Sequence, residues 1–318
     1  MGRFVVHRLA GMVAVLFAVS VLAFLVFNVI PSSDPAQRMA GRNSTPQLVA
    51  SITEEWGFDE PLPQQYLTMM GNILSGDVVS YANRENVDER IVEGIPATFS
   101  LCLGAAFLWL LFGVLFGYLS AVRAGGALDR ALTVLAVTGI SIPVFWLAAI
   151  LLNYLSYQTG LFPSGGYVGL TEEPLEWAYH LILPWITLAV LQVGFYSRVL
   201  RSNMLDAMGE DYVRTARAKG LGERRVMTHH VLRNSLIPLV TLFGLDVGVL
   251  LAGAILIEGT FGLDGVGQYA FESLKGLDLP PIMAIVLFGA FFVVLCNTLA
   301  DIAYAFLDPR VKLGGSAQ

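Results

Sequence analysis

Charge is what this chain has least of. Only 14% of its 318 residues are Asp, Glu, Lys or Arg, against 55% hydrophobic; soluble chains average about 25% charged. The length would suit two soluble domains, but the shortage of charge excludes them. Cysteine is nearly absent too. Cys102 and Cys296 both lie in apolar runs, which excludes a disulfide framework and leaves two small buried hydrophobes. No GxxxxGK[ST] phosphate loop occurs, so the chain itself is not expected to bind or hydrolyse ATP. Histidine offers no metal site. His229 and His230 are adjacent, and neighbours on a helix point about 100° apart, which suits one metal ion poorly. His7 and His180 fall near the edges of apolar runs. No nucleophile–base–acid arrangement stands out. The expectation is a non-catalytic chain with no catalytic residues, no metal and no cofactor of its own.

What is present is hydrophobic length. The apolar residues fall in blocks that approach or exceed the roughly 20 residues needed to cross a bilayer. The blocks are continuous rather than alternating, which argues for helices over a closed barrel. The fold class expected is therefore an all-α membrane protein. Residues 1–8 are short and basic, and 9–30 form an uncharged run, too long for the roughly 7–15-residue core of a signal peptide and without a clear cleavage site. It reads as a retained first span. Residues 31–94 form the longest soluble piece, with candidate amphipathic helices at 64–74 and 86–95. It reads either as a solvated cap or as a platform for an external binding protein. Further spans are expected at 96–122, 131–154, 177–196, 239–257 and 281–306, followed by a tail at 307–318. Gly113 and Gly117 give the second span a GxxxG pair that lets helices approach. Pro143 and Pro184 should kink the third and fourth.

The positive-inside rule orients these spans. Arg3 and Arg8, Arg123 and Arg130, eight Lys and Arg residues from Arg198 to Arg233, and Arg310 and Lys312 share one side; the other side holds five. Six spans with both termini in the cytoplasm satisfy the rule. Acids are distributed oppositely, so the sequence pI of about 5.2 is mostly a property of the outer face. Nucleic acid binding, which needs a clustered basic surface on a soluble module, is not expected. The inner basic charge suits lipid headgroups of the bilayer or an acidic partner.

The basic stretch at 210–238, overlapping a cytoplasmic loop at 201–237, is the longest polar, basic segment of the chain. Tyr212, Val213, Ala216 and Leu221 recur at helical spacing. Gly220 and Gly222 should interrupt that helix. Glu223, whose charge suits a first turn, should open another. The run Tyr212-Val213-Arg214-Thr215-Ala216-Arg217-Ala218-Lys219-Gly220-Leu221 resembles the "EAA" loop of ABC-importer permeases, in the form used by the dipeptide and oligopeptide branch. Leu161-Phe162-Pro163-Ser164-Gly165-Gly166, and Glu258, Phe261 and Gly265-Val266-Gly267, extend the resemblance over nearly the whole chain.

The resemblance implies the type I importer permease fold in a prokaryotic plasma (inner) membrane, as a multi-pass protein forming half of a path for di- or oligopeptides. It implies three kinds of companion: a second homologous permease, two ATP-binding subunits that hold ATP and Mg, and an extracytoplasmic peptide-binding protein. It also implies that residues 212–222 and Arg224 form a coupling helix against an ATPase groove. The rim charges would orient docking, and the apolar face (Val213, Ala216, Leu221) would fill the groove. Nickel- or glutathione-type permeases share these motifs and stay open as alternatives. An ion-coupled secondary transporter would need its own ion site and often internal repeats, which the hydropathy order does not show.

Asp246, midway in the fifth span, is the sharpest intramembrane residue. A carboxylate there costs a few kcal/mol on insertion scales. It should contact either a cationic group of the cargo or a polar group on a neighbouring helix. Asn153 and Asn297 are further candidates for the path, and Asp301 for a pairing with the basic segment.

Overall fold

The structure is a computed structural model that describes residues 2–30, 34–40 and 44–307. Side chains at 2–5, 241, 245, 247, 249, 252 and 300–307 fall outside that description. The tail expected at 307–318 therefore lies almost wholly outside it, and the expected pairing of Asp301 lies outside it altogether.

The described chain is helical nearly throughout. Helix α1 (Gly2–Phe24) widens into a π-helical turn at Leu25–Val29. Helices α2 (Pro35–Ala40), α3 (Pro46–Trp56) and α4 (Leu62–Ser75) follow, then the long α5 (Val87–Val122). Next come α6 (Ala127–Ser141) and α7 (Val144–Leu151), the latter prolonged by π-helical Leu152–Gln158. Helix α8 (Pro174–Met208) is again long, and α9 (Asp211–Ala218) and α10 (Glu223–Arg225) are short. A π-helical stretch (Val226–Leu232) and α11 (Arg233–Ser235) lead into α12 (Ile237–Phe261), α13 (Val266–Gly276) and α14 (Leu279–Leu307).

Among the described residues, four helical stretches are long and apolar enough to cross a membrane: Val6–Val29, Val87–Val122, Pro174–Met208 and Leu279–Leu299. The pair Ala127–Ser141 and Val144–Gln158 makes a fifth if counted as one span, but it is bent by 102°. The sequence led us to expect a kinked helix here. The chain instead breaks completely, because Pro143 disfavours the helical conformation of the residue before it and Ile142 is extended (φ −82°, ψ 124°). Pro184 behaves differently, lying inside α8 without interrupting it. The polar segment expected to start at 201 also begins later, since α8 carries Arg198 and Arg201 and runs on to Met208.

Helices α5 and α8 make the central seam. Their contact depends on the Gly113–Gly117 pair. A Cβ on Gly117 would lie 2.8 Å from both Leu200 Cβ and Ser197 O, and one on Gly113 would lie 2.9 Å from Tyr196 Cβ. Hydrogen lets the backbones close to a distance any side chain would prevent. Beside this seam sits buried Trp109, edge-on to Tyr196 with ring centroids 5.1 Å apart and to Phe243 at 5.2 Å.

The piece at 34–86 is more than a solvated cap. Thr45 and Pro46 start α3, with Thr45 Oγ1 accepting from Leu48 N–H at 3.2 Å. Gly57, at φ 64°, ends it. Buried Ile52, Trp56 and Met69 then join Phe24, Tyr269 and Met283 in a second hydrophobic core. Asn86 caps α5 by accepting from Glu89 N–H at 3.0 Å, so the amphipathic 86–95 stretch is the first part of α5 rather than a separate helix.

One buried carboxylate ties these layers together. Glu258, near the end of α12, is fully buried. It accepts from the backbone N–H of Gln268 at 3.1 Å, and also from Gly267 N–H and the Thr98 hydroxyl. Thr98 Oγ1 in turn accepts from Val266 N–H at 3.0 Å. The first turn of α13, whose N–H groups have no partners within the helix, is thus capped by side chains of α5 and α12. Gly265 makes the approach possible, since a Cβ there would sit 2.1 Å from Glu258 Oε2.

The seam is testable. Gly117→Leu should lower the melting temperature of the detergent-solubilised protein, in line with overpacking costs of about 1–3 kcal/mol. Gly71→Ala on α4, where no atom lies within 4 Å of the added Cβ, should leave it unchanged or raise it slightly. Fluorescence-detected size-exclusion after heating reads both; equal behaviour of the two variants would contradict the packing argument.

Candidate functional site

The basic segment begins where α8 stops. Glu210 is extended, and α9 follows as two turns. An eight-residue helix is too short to stand alone in water, so it must lie on something. Val213 is fully buried and Ala216 is 5% exposed, both within the main core of this chain, and Leu221 packs against the same core. Val226, Met227 and Val231, further along, are buried with them. This corrects one expectation. The apolar face of α9 does not wait for a partner's groove; it is used to seat the helix on its own bundle. A tethered helix buries its apolar stripe against the nearest apolar surface, and here that surface is the helix bundle it grows from.

The opposite face is polar and open. Tyr212, Arg214, Thr215, Arg217, Ala218 and Lys219 are exposed, as are Gly222 and Arg224 beyond them. The break expected at the glycines is present. Gly220 has φ 79°, and Leu221 N–H reaches back to Ala216 O at 3.3 Å, closing the end of α9. A left-handed residue at this point favours glycine.

Arg217 spans the turn as a fork, with Nε 3.1 Å from Glu223 Oε2 and Nη2 2.7 Å from Oε1. The guanidinium holds the Glu223 carboxyl below its usual range, and the carboxylate raises Arg217 in return. Of the charges expected to orient docking, Arg217 is therefore spent inside the segment. Arg214 has only a loose contact with Asp211 at 3.5 Å.

Asp246 lies on α12, half-buried, and accepts a hydrogen bond from Tyr196 of α8 at 2.7 Å. One carboxylate oxygen thus has a neighbouring-helix partner, the second of the two possibilities the sequence left open. Asn153 is exposed at the start of the α7 extension, and Asn297 on α14 has a buried, unpartnered Oδ1. Among the described residues no hydrogen bond joins Asp246, Asn153 and Asn297. Tyr196 and the capping role of Glu258 escaped the sequence reading. Tyr196 carries no charge and sits in an apolar run, so nothing marked it. The capping role of Glu258 was signalled only by the glycine-rich turn that follows it.

Among the described residues no cluster of three or more His, Cys, Asp or Glu side chains is placed to hold a metal ion.

The Arg217–Glu223 fork predicts a pH response. Because the folded Glu223 carboxyl titrates below its unfolded value, the fork favours the ordered turn above about pH 4.5 and loses that effect as pH falls through the folded value. Glu223→Gln should therefore raise amide hydrogen exchange over 217–223 at neutral pH. The unaltered protein should show the same loosening only in acid. Identical exchange of the two at neutral pH would show that the fork does not order the turn.

Residues 113–313 match the family described as the binding-protein-dependent transport system inner membrane component, and residues 1–102 match the N-terminal family model of the same system. A probable peptide ABC transporter permease protein of Sinorhizobium fredii is 36% identical over 313 residues, 98% of this chain and 100% of the relative. The di/tripeptide transport system permease protein DppB of Pseudomonas aeruginosa is 37% identical over 97% of this chain and 98% of its own length. The oligopeptide transport system permease protein AppB of Bacillus subtilis is 35% identical over 98% and 100%. Among solved structures, the inward-facing MetNI methionine ABC transporter aligns with a TM-score of 0.57 at 18% identity, over 69% of this chain and 96% of that one. That likeness shows a common fold. Matched at both ends by family models and along its length by these relatives, the chain belongs to the binding-protein-dependent transport system inner membrane components.

Proposed function

We propose that this chain is the permease subunit of an ATP-driven importer of di- or oligopeptides in a prokaryotic inner membrane. The observation that carries the reading is the end-to-end match to relatives named as peptide permeases. The outward polar face of α9 supports it, since it offers a docking surface at the end of the long helix α8. In this reading the chain crosses the bilayer six times with both termini in the cytoplasm. Helix α12, a continuous 25-residue helix, is the further span. A second permease completes the path, two ATP-binding subunits hold ATP and Mg, and an external peptide-binding protein delivers cargo.

The chain contributes geometry rather than chemistry. The exposed residues Tyr212, Arg214, Thr215, Ala218, Lys219 and Arg224 meet the ATPase, while Val213, Ala216 and Leu221 hold α9 to the bundle so that a push on α9 reaches α8 and α12. Gly220 and Gly222 supply the turn that keeps this face presented. Asp246 stands on the path and, with Tyr196 fixing one oxygen, offers the other to a cationic group of the cargo, such as a peptide ammonium.

Uptake of defined di-, tri- and oligopeptides into proteoliposomes holding the full complex tests the proposal; no ATP-dependent uptake of any of them would overturn it. Two variants sharpen it. Gly220→Pro replaces φ 79° with a residue locked near −65°, so it should insert yet lose most transport; normal uptake would remove the turn from coupling. Asp246→Asn at equal expression should lower uptake by about tenfold, the scale of one lost charge-assisted hydrogen bond. Unchanged uptake and selectivity would take Asp246 out of the path.

A further inference from the structure

A second polar cluster lies at the same end of the bundle as α9, and the reading above assigns it nothing. Asp129, on the first turn of α6, is 4% exposed. Arg201 of α8 grips both its oxygens, Nε to Oδ1 at 2.7 Å and Nη2 to Oδ2 at 2.8 Å. Ser120, buried near the end of α5, donates its hydroxyl to Oδ1. The backbone N–H of Gly125, in the turn between α5 and α6, donates to Oδ2 at 2.8 Å. One carboxylate is therefore held from α5, from the α5–α6 turn and from α8.

Each bond restricts movement in a different direction. The guanidinium fork fixes both distance and plane, and the serine and glycine donors approach from the other helix and the turn. Any slide of α8 past α5 or α6 would strip donors from a carboxylate that is almost wholly shielded from water. An uncompensated buried charge is among the costliest defects a protein can carry. The three helix ends are therefore locked in register. The lock also stands close to the lever: Arg201 is seven residues before Met208, the last residue of α8, about 10 Å along the axis, and α9 starts at Asp211. The exposed face of α9 belongs to neither α5 nor α6, and this cluster is a direct polar route by which a displacement of α9 and α8 reaches them.

We propose that Asp129 is a positioning residue for transport. Through Arg201, Ser120 and Gly125 it makes the ends of α5, α6 and α8 one rigid block, so that movement delivered at α9 opens or closes the bundle instead of being lost as slippage between helices. The proposal rests on the importer reading and adds to it the residue that turns local docking into collective motion.

The test separates coupling from stability. In the complete complex in proteoliposomes, Asp129→Asn keeps shape but weakens the grip of Arg201. Peptide uptake should fall about tenfold, within the range by which single residues alter coupling between sites, while ATP hydrolysis stimulated by the binding protein stays near that of the unaltered complex. Arg201→Lys, which keeps the charge but replaces the fork with a point contact, should give an intermediate ratio of uptake to hydrolysis. Ser120→Ala should give a mild one. Uptake and hydrolysis falling in proportion, or uptake unchanged, would overturn the proposal.

A second measurement is independent of transport. Spin labels on Ala124→Cys and Gly209→Cys report the distance between the α5–α6 turn and the end of α8. It should be single and narrow in the otherwise unaltered chain, and broadened by Asp129→Asn or Ser120→Ala. Equal narrow distributions would show that the block does not depend on the cluster. If the unaltered complex imports no peptide, the importer reading fails, and this distance still decides whether the block exists. If Asp129→Asn does not insert, Ser120→Ala and Arg201→Lys carry the same decision.

Discussion

The close approach of α5 and α8 governs the rest of the molecule. Two long helices meet along Gly113 and Gly117, with Tyr196, Ser197 and Leu200 filling the place where larger side chains would stand. Lipid tails are as apolar as the helices, so no hydrophobic gain drives them together in a bilayer, and close packing must supply the attraction. Once the seam is closed, positions along it are fixed at both ends. At one end Thr98 is brought to Glu258 and α13. At the other, Ser120 is brought to Asp129 and Arg201. Midway, Tyr196 is set where Asp246 can accept its hydrogen bond.

Those three polar contacts follow one rule. In a low-dielectric interior a carboxylate must be met by donors or must reach water. Glu258 is met by backbone N–H groups and a hydroxyl, Asp129 by a guanidinium fork, and Asp246 by one phenol. The first two are multi-donor arrangements that fasten helices together; both oxygens of Asp129 are met, while the donors to Glu258 leave its Oε1 buried without a partner. Among the described residues Asp246 has one side-chain donor, Tyr196, and stays half-buried, and the proposed importer uses its other oxygen to meet the solute.

Much of this was legible in the residues, though unevenly. Long uncharged runs gave the helices, and the glycine break after Lys219 gave the turn. Asp246 stood out because a charge in an apolar run is costly unless a partner or water meets it. The destination of α9's apolar face was not legible, since periodicity reports that Val213 and Ala216 share a face but not which body covers it. The register that brings Tyr196 to Asp246 was equally hidden, because it depends on α8 and α12 being neighbours and nothing local encodes that. Pro143 announced an irregularity, but its size, a full break rather than a kink, depends on what the two arms pack against. The segment before α5 looked solvated because its polar residues are numerous; its few large apolar ones, Ile52, Trp56 and Met69, are what anchor it.

The elbow at Ile142–Pro143 has a consequence for the lipid around it. Each arm, Ala127–Ser141 and Val144–Gln158, holds 15 residues, about 22 Å of helix, and the 102° bend keeps the two lengths from adding. Neither arm alone matches a hydrocarbon layer of about 30 Å. The exposed Phe145 and Trp146 stand right beside the bend. Where lipid meets the elbow, acyl chains would have to shorten or splay, and the bilayer would be locally pinched. Membrane thickness would then be a variable to which this one corner of the protein responds more than its full-length helices.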